Sequence, residues 1–404
     1  MPDRRLLLGL GAAGLAGLLP GVASAQRQQQ RPATQQRPAP PAGSPAQTPL
    51  GAVDTLARQA ILVDADTGAV LLEKAADERM APASMSKLMT MYVVFEHIRA
   101  GTLRMDQELP VSERAFRMGG SRMFLELGSR VSVENLARGV IIQSGNDACV
   151  VLAEAIAGSE ERFADLMNQA ARRIGLRDST FRNASGWPHP EHRMTARDLS
   201  VLARRLIQDF PEYYRFYSER SFRWNGIEQP NRNPLLGRVP GADGLKTGST
   251  EEAGFGLTAS VLRDGRRLIL VVNGLPSMRA RAEEAERLME WGFREFDNVT
   301  LFRAADTVDN VPVWLGERPT VPLVGGRNLV LTLPRNWRDR LQVRVAYPAP
   351  LPAPVLRGQE IGELLVGGQG VPPMRLPLYA GADVARLGVL QRIPAVLQRT
   401  LFGA

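Results

Sequence analysis

Cysteine is almost missing from this sequence. Cys149 is the one thiol in 404 residues, so no internal disulfide can form and stability must come from a core, which a chain this long can build. Histidine is nearly as scarce. His97, His189 and His192 are the three present, which weighs against Ser-His-Asp catalysis and against a His-rich metal site, and no metal or cofactor is expected. Aromatic residues make up 6%, and no apolar run reaches the ~20 residues that a membrane-crossing helix needs. There is also no zinc-ligand spacing, no glycine-aromatic RNA-binding strand and no long Lys/Arg block, so nucleic acid is the least supported partner. What the charges do allow is an anionic partner. Lys and Arg total 50 against 42 Asp and Glu, a net +8, which suits an anionic membrane surface or a carboxylate substrate.

The ends have their own character. Arg4 and Arg5, the apolar stretch Leu6 to Leu19 and the small residues Ala23-Ser24-Ala25 read as an export leader over 1–25. From Gln26 the composition is Gln, Arg, Pro and Ala, so a disordered linker is expected over 26–52. Folding is expected from residue 53. Two hairpins are legible, one around Asp66-Thr67-Gly68 and one with Asp264-Gly265 at its turn. Between them the signals are helical. Ser84 to Ile98 has apolar residues at helical spacing, Ser132 caps a run, and Thr195 with Asp198 reads as a capping box. An α+β domain over 53–297, an antiparallel sheet with a helical insert, is the expected architecture.

Three motifs stand in this domain. Ser84-Met85-Ser86-Lys87 is S-x-x-K, Ser144-Gly145-Asn146 is S-x-N, and Lys246-Thr247-Gly248 is K-T-G. Each alone is weak, and S-x-x-K alone is better read as a helix cap beside a surface lysine. Their order and separation together are specific to one set of acyl-transfer enzymes. Three residues is about one helical turn, which brings Lys87 to the face of Ser84. An ammonium buried on that apolar face is driven to lose or share its proton, and such a lysine is a general base for a serine hydroxyl. Ser144 and Asn146 offer a hydroxyl and an amide for proton relay and substrate holding, although Ser-Gly-Asn also suits a plain turn. Lys246 and Thr247 offer a cation and a hydroxyl to a carboxylate, on a strand where Gly248 lets substrate backbone approach. Cys149 reads as a buried small residue, and His189 and His192 as part of a surface loop. Gly119 to Phe124 reads as a flexible cleft wall.

These segments resemble the low-molecular-weight penicillin-binding proteins of the D-alanyl-D-alanine carboxypeptidase type. The stretches carrying the resemblance are Pro82 to Thr90, Gln143 to Ala148, Gly244 to Gly248, Ala60 to Gly68 and Thr195 to Leu199. The resemblance implies a penicillin-binding/β-lactamase-like transpeptidase domain in which Ser84 is acylated by the penultimate D-alanine of a peptidoglycan stem peptide. It further implies Lys87 as base, Ser144 as proton shuttle, Asn146 as a substrate contact, Lys246 and Thr247 as binders of the terminal carboxylate, and Ser249 as donor of the second oxyanion N–H. β-Lactam antibiotics are then expected to acylate Ser84. Endopeptidase or β-lactamase activity on the same fold, and a non-catalytic peptidoglycan-binding envelope scaffold, stay open as alternatives.

From residue 298 short apolar runs alternate with Gly and Pro clusters, so a small all-β sandwich is expected over 298–382. Val384, Leu387, Leu390, Ile393, Leu397 and Leu401 then recur at helical spacing beside Arg386, Arg392 and Arg399. An amphipathic helix over 383–404 can lie in an anionic membrane surface or pack on the β domain. With the leader, this implies a periplasmic protein held at the outer face of the cytoplasmic membrane.

Overall fold

The computed structural model describes residues 44–393, with the exception of 305, 369 and 370. The expected leader, residues 26–43 of the expected linker, and the tail beyond 393 lie outside the described residues.

The first domain is built on a seven-stranded antiparallel sheet. Across it run Gly51–Val53, Ala46–Thr48, Val70–Lys74, Gln59–Asp64, Arg266–Leu275, Gly254–Arg263 and Ala242–Thr250. Alternate residues of one strand face opposite sides. In the central strands Ile61, Val63, Ile269 and Val271 join the core under the helical insert. Ala60, Leu62, Leu268, Leu270 and Val272 join a second core under the helix Met278–Glu295. Both faces are therefore covered, and the expected α+β architecture is present. The second hairpin turns at Asp264 and Gly265, both at positive φ, the geometry that a two-residue primed turn requires.

Helix starts follow the capping chemistry. Ser132, Thr195 and Ser277 accept the backbone amides of Asn135, Asp198 and Ala280. Asp198 does not complete a capping box. Its carboxylate instead accepts the amides of Arg177 and Asp178 and the Ser179 hydroxyl, so it fastens a loop.

The expected linker is shorter than its composition suggests. Ala46 pairs with Val53 in a hairpin, and Gln47 pairs with Glu73 at the sheet edge. Ala46 is buried there. A strand that caps a sheet edge needs backbone hydrogen bonds more than large side chains, so composition alone reads it as disorder.

The second domain is all-β, as expected, and begins at Phe296, two residues early, because Phe296 is buried with its ring edge-on to Trp291. Phe296–Phe302 pairs with Leu329–Pro334, and a six-stranded sheet packs over that pair around one apolar core. The tail departs from expectation. Val384 is buried and bridges to Val355, Arg386 bridges to Gly316, and the Leu387 amide donates to the Leu315 carbonyl. The segment is thus extended, because the β-domain core takes the valine. Helix begins at residue 389, where Val389 and Leu390 are 73% and 83% exposed.

Candidate active site

Ser84 lies in a 3₁₀ turn over Ala83–Ser86 that runs into the helix Lys87–Arg99. The residues leading into it are not extended. Pro82 is in the right-handed helical region, Ala83 has φ +48°, and the Met85 amide closes the turn on the Pro82 carbonyl. Two glycines make room for it. A Cβ on Gly248 would come within 2.7 Å of the Pro82 oxygen, and one on Gly186 within 2.0 Å of the Ala83 oxygen. Gly248 therefore accommodates the serine turn, where the sequence suggested room for substrate. Gly186→Ala is expected to lower the melting temperature and slow acylation by penicillin together, because Gly186 also has φ +76°. Gly175→Ala is the control: it has φ +86° but open space around it, and it should cost stability alone, about 1 kcal/mol.

Lys87 is buried, and its Nζ donates to Ser84 Oγ at 2.8 Å, to Asn146 Oδ1 at 2.8 Å and to the Ser185 carbonyl at 2.5 Å. Burial, with the positive charge of Arg232 adding to it, lowers its pKa to about 8. Asn146 is held for this contact, since its Nδ2 donates to the Gly119 carbonyl at 2.9 Å. Ser144 is buried at φ +61°, with its Oγ lacking a hydrogen-bond partner. Strained non-glycine backbone and orphaned buried hydroxyls concentrate at functional sites.

Lys246, Thr247 and Gly248 lie on Ala242–Thr250, the edge strand of the sheet, with Ser249 exposed beyond them. Lys246 is buried, its Nζ donating to the Thr247 carbonyl at 3.2 Å. Burial first, then Lys87 and Arg232, push its pKa well down. The structure thus brings all three motifs to one cleft.

Three further residues at the site carry no motif. Arg232 donates to Ser121 Oγ on the cleft wall. Arg281 is buried on the helix Met278–Glu295 with its Nε unpartnered, and burial and Arg232 lower its pKa to about 10. Asp147 accepts the amides of Met123, Leu125 and Ala148, so the wall over Gly119 to Phe124 is pinned and not free. A carboxylate directly after S-x-N was the available signal for Asp147; the two arginines had none. Trp187 leans over that wall, 3.1 Å from a Cβ placed on Gly120.

The remaining candidates stay outside the chemistry. Cys149 is buried, and burial pushes its thiol up to about 12. His192 is not on the surface as expected. It is buried edge-on to Phe181, and burial lowers its pKa to about 3. Among the described residues no cluster of His, Cys, Asp and Glu could hold a metal ion.

Comparison with known proteins gives the family. A family model described as D-alanyl-D-alanine carboxypeptidase matches residues 44–277, and one described as the C-terminal domain of penicillin-binding protein 5 matches residues 296–386. The carboxypeptidase DacC of Escherichia coli is 40% identical over 345 residues, covering 83% of this chain and 86% of that protein. The crystal structure of penicillin-binding protein 5 from Haemophilus influenzae, 35% identical, superposes with a TM-score of 0.75 over 82% of this chain and 98% of that one. Penicillin-binding protein D2 of Listeria monocytogenes, solved in an ampicillin-bound form, is 32% identical with a TM-score of 0.55, over 59% of this chain and 97% of its own. The chain belongs to the D-alanyl-D-alanine carboxypeptidase family of low-molecular-weight penicillin-binding proteins, and it is a serine carboxypeptidase of that type.

Proposed function

We propose that Ser84 is the nucleophile and neutral Lys87 its base; the observation that carries this is the 2.8 Å contact from Lys87 Nζ to Ser84 Oγ. Lys87 takes the hydroxyl proton as Ser84 Oγ bonds to the carbonyl carbon of the penultimate D-alanine of a stem peptide. The peptide C–N bond then breaks, and the terminal D-alanine leaves as an amine that receives its proton through Ser144. Water, deprotonated by the same groups, cleaves the resulting ester and restores Ser84. The backbone N–H groups of Ser84 and Ser249 are the natural oxyanion donors.

The terminal carboxylate goes to Lys246 and Thr247, with Arg232 and Arg281 adding charge. No ion pair neutralises Lys246, Arg232 or Arg281 among the described residues, so this end of the cleft lacks an anion of its own. Asn146 contacts the substrate amide. The unpaired edge of Ala242–Thr250 can take the peptide as an added strand. The assay is release of D-alanine from a diacyl-D-Ala-D-Ala peptide. Release is expected, with penicillin held as a stable adduct; rapid turnover of the drug without D-alanine release would favour a β-lactamase, and binding without release a scaffold.

The protein is exported and attaches peripherally to the outer face of the cytoplasmic membrane. The leader-like Arg4 to Ala25 and the exposed Val389, Leu390 and Ile393 beside Arg392 support this reading. None of the described helices is long and apolar enough to cross a membrane, which suits an interfacial anchor. Truncation after Gly388, which spares the buried Val384, is expected to release the protein from membranes with D-alanine release unchanged. Unchanged pelleting with membranes would contradict the anchor.

A further inference from the structure

The C-terminal domain carries a cavity of about 840 Å³ that the catalytic cleft does not use. That lies within the roughly 300–1,000 Å³ typical of ligand sites. Arg327 and Arg357 line it, with Tyr379 between glycine-rich segments, and no acidic side chain is among its walls. Both arginines are exposed, and neither guanidinium has an ion-pair partner among the described residues. Elsewhere on the same domain Arg375 does have one, Glu363 at 3.4 Å. The Tyr379 ring lies against the Gly326 backbone, 2.8 Å from where a Cβ would sit, so the ring forms a flat wall beside the two cations.

Two guanidinium forks without an ion-pair partner are suited to a carboxylate, which they bind through paired N–H donors; the neighbouring Asp383 carboxylate is taken up by the Arg357 backbone amide at 2.8 Å. The tyrosine face adds apolar contact for whatever carries that carboxylate. Anionic lipid would offer a phosphate instead, but the placement disfavours it. The cavity lies at the end of Thr307–Trp314 where Thr307 pairs with Val324. The segment leading to the exposed helix start bridges past the other end, at Leu315 and Gly316. Gly381 of the cavity wall is level with Asn310, so five strand residues, about 17 Å, lie between the cavity and Leu315.

We propose that this cavity is a second binding site for the substrate polymer, taking a stem-peptide carboxylate between Arg327 and Arg357 with its aliphatic portion against Tyr379. The proposal rests on the carboxypeptidase reading for its choice of ligand. Its effect is to hold the enzyme on peptidoglycan while the Ser84 cleft moves between stems.

The test uses the full chain with Ser84 blocked by penicillin, so that the cleft contributes no binding. Parent and the double variant Arg327→Gln/Arg357→Gln are sedimented with purified, protein-free peptidoglycan, and separately with phosphatidylglycerol vesicles. Expected is sedimentation of the parent with peptidoglycan, weakened about tenfold in the variant, with vesicle binding and soluble-peptide kcat/KM unchanged. Equal peptidoglycan binding by the two proteins, no binding by the parent, or loss of vesicle binding alone would each overturn the proposal. Melting temperatures and soluble-peptide activity of the variant establish that it is folded. Should the unblocked parent fail to release D-alanine from soluble peptide, the carboxypeptidase reading falls, and the sedimentation result still decides the cavity separately.

Discussion

Ser84→Ala is expected to lower D-alanine release from a diacyl-D-Ala-D-Ala peptide by about 10⁴-fold or more, the scale on which removal of a serine nucleophile acts. Folding should be untouched. Ser84 is half-buried, and its hydroxyl accepts a single hydrogen bond, from Lys87. The turn that carries it is held by backbone and by its neighbours: Met85 is buried against Thr258 Oγ1, and the Ser86 hydroxyl donates to the Ala83 carbonyl at 3.1 Å. The variant should therefore melt as the parent does and still bind substrate weakly through Lys246 and Thr247. A variant that releases D-alanine as fast as the parent would remove Ser84 from the chemistry.

Lys87→Met should lose about 10³-fold in acylation, within the range of general-base catalysis, and the pH dependence identifies the cause. With a pKa of about 8, the parent's lysine is mostly protonated at pH 7, so acylation should rise roughly tenfold from pH 7 to a plateau above pH 9. The variant should lack this limb. Lys246→Met should keep it, because the burial and the Arg232 charge that lower the Lys87 pKa remain in place. Stability moves in the same sense as activity, over a higher pH window. The unfolded lysine holds its proton up to 10.5 and the folded one releases it at about 8, so between those values the unfolded chain binds more protons and stability rises with pH. Below that window the buried ammonium costs on the order of 3 kcal/mol. At pH 6 the methionine variant should then melt no lower than the parent. A flat pH profile in the parent, or collapse of the variant's fold, would make Lys87 a structural residue.

Much of the catalytic site was legible because its chemistry is local. Ser84 and Lys87 are one turn apart, and Lys246 and Thr247 are adjacent on one strand. Short-range spacing carries such pairs into sequence. Arg232 and Arg281 reach the cleft from a loop and from the far helix, and only the packed sheet brings them there, so no spacing announces them. Gly186 was visible as a glycine, but its role depends on the Ala83 carbonyl more than a hundred positions earlier. In the fold, the Asp264-Gly265 hairpin and the caps at Ser132 and Thr195 were legible as local chemistry. The strands Ala46–Thr48 and Gly51–Val53 were hidden, since their stability comes from pairing with a distant sheet edge. At the tail, apolar spacing from Val384 onward suited a helix, and the core of the β domain claimed the first of those residues.

Labelled penicillin offers the most direct measurement. The intact protein is incubated with the drug, its mass is determined, and the labelled peptide is mapped. One drug molecule per chain, stable on the time scale of the experiment and located on Ser84, is the result this mechanism requires. A label on another residue, or no label with folded protein, would contradict it.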